Sequence, residues 1–173
     1  MRGQRGHAQA GAEFAVRSGA QVIATASGPE KAELAAEAGA GHVVNYRDAD
    51  AAEQIRAAVG QTDRIIEVAL GANLGLDLAV AKPGSTIVTY AAEPTDPALP
   101  VRACMTANVV LRFILLYGVP IEALDRAAAD ITAAVADGAL TELPVHKFGL
   151  EDIVAAHEAC EAGPLGKVLV VPS

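Results

Sequence analysis

A hydroxyl and an ammonium group stand four positions apart at Ser27 and Lys31, just beyond the apolar run Val22-Ile23-Ala24-Thr25-Ala26. That run reads as a buried strand, and Pro29 and Glu30 open a helix that stops at Gly39. A second strand begins near His42, so Val22 to Tyr46 forms one β-α-β unit. Dinucleotide folds place an acidic residue at such a strand exit to grip the adenosine ribose. Here the exit, Thr25-Ala26-Ser27-Gly28, has no carboxylate. A 2′-phosphate needs donors and is repelled by an Asp, so a serine with a lysine one helical turn later suits NADPH better than NADH. The plain alternative for Lys31 is a solvated helix residue in an i,i+4 network.

The rest of the chain repeats the same alternation. Ala8 to Ser18 is helical in pattern, closed by Gly19, and Asp48 or Asp50 can cap a helix through Val59 that ends at Gly60. Asp63 to Ala69 is a strand, Leu74 to Ala81 a short helix, Lys82-Pro83-Gly84 a turn, and Ser85 to Tyr90 another strand. The proline-rich loop Ala91 to Pro100 separates this region from an edge strand, Asn108 to Leu116, with Arg112 directed outward. A long helix then covers Ile121 to Asp137, followed by an extended piece at Leu143 to Phe148, a helix at Glu151 to Glu161 and a last strand at Lys167 to Val171. Strands alternating with helices predict an α/β fold with a doubly wound parallel sheet and right-handed crossovers, Rossmann-like in character.

The 173 residues suffice for one ordinary domain with its own core. Aromatics are 3% and Trp is absent, so that core must be built from Ala, Val, Leu and Ile. A formal net charge of −8 argues against nucleic acid or an anionic membrane as partner. No apolar run reaches the roughly 18 to 20 residues of a membrane span. Cys104 and Cys160 form no CxxC pair and read as small buried hydrophobes in a reduced, cytoplasmic protein. His42, His146 and His157 have no partner at metal-ligand spacing, so no metal site is expected.

The phrases SGAQVIATASGPEKAELAAEAGAGHVVNYRD, IIEVALGANLGLDLAV, KPGSTIVTY, NVVLRFILLYG, FGLEDIVAAHEA and GKVLVVP resemble the C-terminal half of the medium-chain dehydrogenase/reductase superfamily. The likeness is greatest to its zinc-free, quinone oxidoreductase-like branch. In that branch the residues matching Ser27, Lys31 and Tyr46 hold the 2′-phosphate of NADPH, which gives Tyr46 a role its position alone does not. The resemblance also implies that the turns near Leu70 and Gly71 and after Tyr90 line the nicotinamide half of the cleft, largely through backbone groups. It implies a homodimer joined through the edge strand Asn108 to Leu116.

The chain departs from that pattern at its start. The family's glycine-rich turn falls on Gly3-Gln4-Arg5-Gly6-His7-Ala8, where Gly6, with Gly3, is what remains for a pyrophosphate. No apolar strand leads into it, so the sheet is expected to lack its first, central strand. Residues 1–138 are expected to form the truncated nucleotide-binding domain, and residues 139–173 a segment that in the family packs against a catalytic barrel domain. That barrel, which carries most catalytic groups in the family, has no counterpart here, so no catalytic residue is assigned. The missing strand would cost several apolar side chains at roughly 1.5 to 3 kcal/mol each, against a total stability of about 5 to 15 kcal/mol. Either the sheet closes by bringing its second strand beside the fourth, or another chain supplies the strand. Two functions follow: the nucleotide-binding portion of an NADPH-dependent oxidoreductase that works with a separate catalytic-domain chain, or a dimerising Rossmann remnant that has lost its cofactor.

Overall fold

Four short parallel pairings account for all the sheet structure in the computed structural model, which describes residues 5–172, with side-chain surroundings from residue 9 onward. The first is β1 (Ile23–Ala26) with β2 (His42–Asn45), in a register that sets Ala26 beside Asn45. The second and third join β3 (Thr62–Glu67) to β4 (Ala81–Thr89) and β4 to β5 (Val110–Phe113). The fourth pairs β6 (Val145–Gly149) with β7 (Lys167–Val171). Helices α1 (Arg5–Arg17), α2 (Pro29–Glu37), α3 (Ala51–Val59), α4 (Leu70–Val80), α5 (Val101–Ala107), α6 (Ile121–Ala136) and α7 (Ile153–Ala162) alternate with these strands. Gly19, Gly39 and Gly60 have positive φ where a helix ends, as the sequence predicts, and Gly138 and Gly163 do the same.

The sheet is interrupted between β1 and β3. Among the described residues β1 bonds only to β2, and β3 only to β4, so the doubly wound sheet is split where its central strand would lie. Of the two outcomes expected, closure of the sheet with β1 beside β3 does not occur among the described residues. What spans the break is a layer of helix: Val44, Ala51, Ile55 and Val80 form a buried cluster on which Ile23 of β1 and Ile65 of β3 both rest. Val44 belongs to β2; the other three come from α3 and α4, which carry no strand-pairing requirement and hold the two sheets from one face. A second cluster, Leu70, Leu74 and Ile87, packs with Ile65, Leu78 and Leu111 beneath the three-stranded half.

Several local features differ from expectation for identifiable reasons. The fourth helix starts at Leu70 rather than Leu74, and Lys82-Pro83-Gly84 is not a separate turn but an irregularity inside β4. There Thr62 pairs with Ala81 and Arg64 with Thr86, so extra residues bulge out of β4, with Gly84 at φ 82°. Residues 101–107 form a helix that the proline-rich stretch before it conceals, ending at Asn108 with φ 50°. That turn trims the edge strand to Val110–Phe113, with Leu111 inward and Arg112 outward. Asp50 precedes α3 but makes no side-chain cap; its Oδ1 accepts instead from Gln54 Nε2 at 2.8 Å. Cys104 is only partly buried and Cys160 is exposed, so Cys160 is not the core hydrophobe expected of it.

Two glycines on α4 make a contrasting pair. A Cβ at Gly71 would lie 2.6 Å from Glu93 Oε2 and 2.9 Å from Pro97 Cβ, whereas one at Gly75 meets nothing within 4 Å. Gly71→Ala is expected to detach the 91–100 loop and cost about 1 to 2 kcal/mol, while Gly75→Ala gains up to about 1 kcal/mol from helix propensity. Urea unfolding of the two variants would show midpoints displaced in opposite directions; displacement the same way refutes the loop contact.

Candidate functional site

The carboxyl ends of β1 and β2 bring together the residues that the sequence singles out. Because Ala26 pairs with Asn45, the next residues along each strand, Ser27 and Tyr46, emerge side by side, and the Tyr46 amide donates to Ala26 O at 3.3 Å. Pro29 starts α2 without needing an amide donor, and one turn of helix returns Lys31 to Ser27. Lys31 Nζ donates to Ser27 Oγ at 2.6 Å. This contact is the i,i+4 bond of the plain reading of Lys31, and it leaves the ammonium two further donors.

Arg47 adds a second cation that sequence reasoning missed. Its guanidinium lies 5.7 Å from the centroid of the Tyr46 ring, and its amide donates to Asn45 Oδ1 at 3.1 Å. Among the described residues, neither Lys31 nor Arg47 takes part in a salt bridge. The signal available in advance was a basic residue directly after the tyrosine; only the β1–β2 register shows that it shares an end of the sheet with Lys31. A hydroxyl, an ammonium, a guanidinium and a phenol ring with no carboxylate at the strand exit fit a phosphorylated ribose.

The other expected positions lie on the far side of the break. Leu70 is buried in the first turn of α4, and Gly71 is exposed beside it. The amide donors of this turn are already engaged by carboxylates. Glu67 Oε1 accepts from the amides of Val68 at 2.7 Å and Ala69 at 2.6 Å and from Asn73 Nδ2 at 3.1 Å, and Gly71 N donates to Glu93 Oε2 at 2.6 Å. Expected backbone donation from Gly71 is therefore met from within the chain. Tyr90 is half-buried at the end of β4, and burial, with the Glu67 charge adding to it, raises its pKa. Gly6 lies in the first turn of α1 with only its helical backbone described, and Gly3 lies outside the described residues.

Glu67 and Asp77 are buried acids that the sequence did not single out. Glu67 accepts from three donors at the positive end of α4. Asp77 is on the same helix face as Leu70 and Leu74, 5% exposed, with Oδ2 lacking any partner. Burial, and then the charge of Glu67, pushes its carboxyl up to about 7. A clue was present: an Asp falling in step with two leucines on an otherwise apolar helix.

Among the described residues no three His, Cys, Asp or Glu side chains gather where they could hold a metal ion, and no helix is long and apolar enough to cross a membrane. An open depression of about 360 Å³ lies among Glu13, Val16, Arg17, Glu37, Gly39 and Thr141, and contains none of the expected site residues.

Comparison with known proteins gives a consistent result. Residues 8–133 match the family model described as zinc-binding dehydrogenase. The chain is 26% identical over 166 residues to a quinone oxidoreductase of Sus scrofa, covering 94% of this chain and 50% of that protein. Among solved structures, an Escherichia coli quinone oxidoreductase complexed with NADPH superposes with a TM-score of 0.83 at 22% identity, over 96% of this chain and 54% of that one. A putative alcohol dehydrogenase from Sinorhizobium meliloti does so with a TM-score of 0.75 at 29% identity, over 92% and 46%. The chain thus spans about half the length of the curated relatives it matches.

Proposed function

This chain belongs to the zinc-binding dehydrogenase family, and on that premise we propose that it is the nucleotide-binding portion of an NADPH-dependent oxidoreductase of the quinone reductase type. The observation that carries the reading is the exit of β1, which has no carboxylate from Thr25 to Gly28, where Lys31 bonds to Ser27, with Arg47 on Tyr46 at the exit of the neighbouring β2. Lys31 and Arg47 bring positive charge to a 2′-phosphate, Ser27 donates its hydroxyl proton, and Tyr46 offers a flat face beside them. NADPH, when bound, supplies the hydride; this chain's part is to orient it. Catalytic groups would come from a domain beyond the residues present, against which residues 139–173 pack. That placement accounts for the exposure of Val145, Leu150, Val154 and Leu169 in the β6-α7-β7 unit.

The test is a calorimetric titration with both cofactors. NADPH is expected to bind more tightly than NADH, and Lys31→Ala to weaken NADPH about tenfold or more while leaving NADH within about twofold. Equal losses for the two cofactors would remove Lys31 from the phosphate site.

A second reading, a dimerising remnant without cofactor, would use the outer edge of β5. Phe113, Leu115, Leu116 and Tyr117 are all more than half exposed there, beside an unpaired strand edge. The same strip supports a homodimer under either reading, so dimerisation does not separate them. Absence of heat with either cofactor at millimolar concentration would favour the remnant.

A further inference from the structure

We propose that the proline-rich segment 91–100 is a lid that Glu93 latches over the start of α4, and that the nicotinamide half of the dinucleotide binds only when this latch opens. The inference deepens the NADPH reading above and rests on it. Among the described residues a single hydrogen bond joins Ala92 to Ala98 to the rest of the fold, from the Gly71 amide to Glu93 Oε2 at 2.6 Å. Pro97 rests on the same glycine, since a Cβ there would lie 2.9 Å from its own. The segment is anchored at its two ends: Thr89 Oγ1 donates to Ala91 O at 3.3 Å, and α5 begins at Val101. Pro94, Pro97 and Pro100 stiffen what lies between, so it swings as one piece once the latch is released.

The positive end of a helix draws carboxylates and ligand oxygens alike, and the start of α4 already holds two carboxylates of this chain. They are not equivalent. Glu67 is 6% exposed and accepts from the amides of Val68 and Ala69 and from the Asn73 side chain, so it is a fixed part of the interior. Glu93 is half-buried, reaches Gly71 from 22 residues away and makes one bond. Glu93 is therefore the replaceable one. In a doubly wound fold the carboxyl ends of the strands open on one crevice, and this chain superposes on such a fold over 96% of its length. A dinucleotide laid across that crevice from the Lys31 end reaches the start of α4, where Glu93 and Pro97 lie. Its binding exchanges one acceptor on the Gly71 amide for another. The closed lid then raises the apparent Kd in inverse proportion to the fraction of molecules whose lid is open.

The test titrates the full chain with NADPH and with adenosine 2′,5′-bisphosphate, which has the phosphorylated ribose but no nicotinamide half. Glu93→Ala removes the latch. Asp96→Ala removes the same charge from an exposed position of the same segment, without a bond to Gly71. Glu93→Ala is expected to tighten NADPH about tenfold, to leave the bisphosphate within about twofold, and to speed amide exchange at Gly71 about tenfold or more. Asp96→Ala is expected to change none of the three by more than about twofold. Faster exchange at Gly71 with unchanged NADPH affinity means that the segment opens without governing the cofactor, and overturns the proposal. An equal gain in NADPH affinity from Asp96→Ala assigns the effect to charge alone, and overturns it too. In both cases bisphosphate binding that Lys31→Ala weakens leaves the cofactor reading standing. No binding of either ligand by any form at about 1 mM removes that reading and the lid with it.

Discussion

Asp77→Asn is expected to abolish most of the loss of stability that this protein suffers as the pH rises from about 4 to about 7. Burial, and then the charge of Glu67, pushes the Asp77 carboxyl up to about 7 in the folded chain, from its ordinary 3.8. Below the lower value both states hold the proton and the residue contributes no pH dependence. Between the two values the unfolded chain releases the proton while the folded chain keeps it, so rising pH favours unfolding. The slope is about 1.4 kcal/mol per pH unit, and the accumulated loss near pH 7 is on the order of 3 to 4 kcal/mol before any relaxation around the site. Above that pH the contribution is level. Asparagine keeps the shape, carries no charge at any pH and spares Glu67 a neighbouring anion. Urea unfolding at pH 4.5, 6 and 8 would show the variant gaining on the native protein step by step, and parallel curves for the two would refute the assignment. Asp77→Leu should behave alike in slope, since the effect comes from the proton and not from a lost hydrogen bond.

Ile87→Ala should be the most damaging single truncation in the core, at about 3 kcal/mol and within the roughly 2 to 5 kcal/mol range for such changes. Ile87 is the largest side chain that is fully buried, at 1% exposure. It sits in the middle strand of the three-stranded half, registered beside Ile65 on one side and Leu111 on the other, over Leu70 and Leu74. Those neighbours are fixed by strand pairing and cannot collapse into the space. Ile87→Val should cost about 1 kcal/mol, and Ile131→Ala on α6, where the side chain is 48% exposed, under about 0.5 kcal/mol. Denaturant midpoints give the ranking directly. Equal losses at Ile87 and Ile131 would mean that the three-stranded half is not where the core lies.

The sequence made Ser27 and Lys31 legible because a hydroxyl at a strand exit and a cation one turn later is a pattern within a single element, and they meet at 2.6 Å. Tyr46 became legible only through the phrase around it. Arg47 was not, because its relevance depends on the register of two strands separated by a whole helix. Glu67 and Asp77 escaped notice for a different reason: burial is a property of what packs on a residue, and a polar side chain on an apolar face is visible only when the face is drawn. The interruption in the sheet was readable from the strand order of the fold, in which a central strand separates the counterparts of β1 and β3. Its outcome was not, because whether β1 closes on β3 depends on the support that α3 and α4 give both halves. Helix α5 is too short, at 7 residues, for periodicity to reveal it after so many prolines.

The pairing pattern also bears on how the chain reaches this structure. Every ladder among the described residues joins strands that are consecutive in sequence: β1 with β2, β3 with β4, β4 with β5 and β6 with β7. A continuous doubly wound sheet must instead wait for a central strand to meet partners made much later. Ladders between strands that are neighbours in sequence keep contact order low, and each β-α-β hand can form as soon as its second strand is synthesised. During translation the β1–β2 unit can therefore be complete while β3 is still within the ribosome, leaving only the docking of α4 on α3 to unite the two halves.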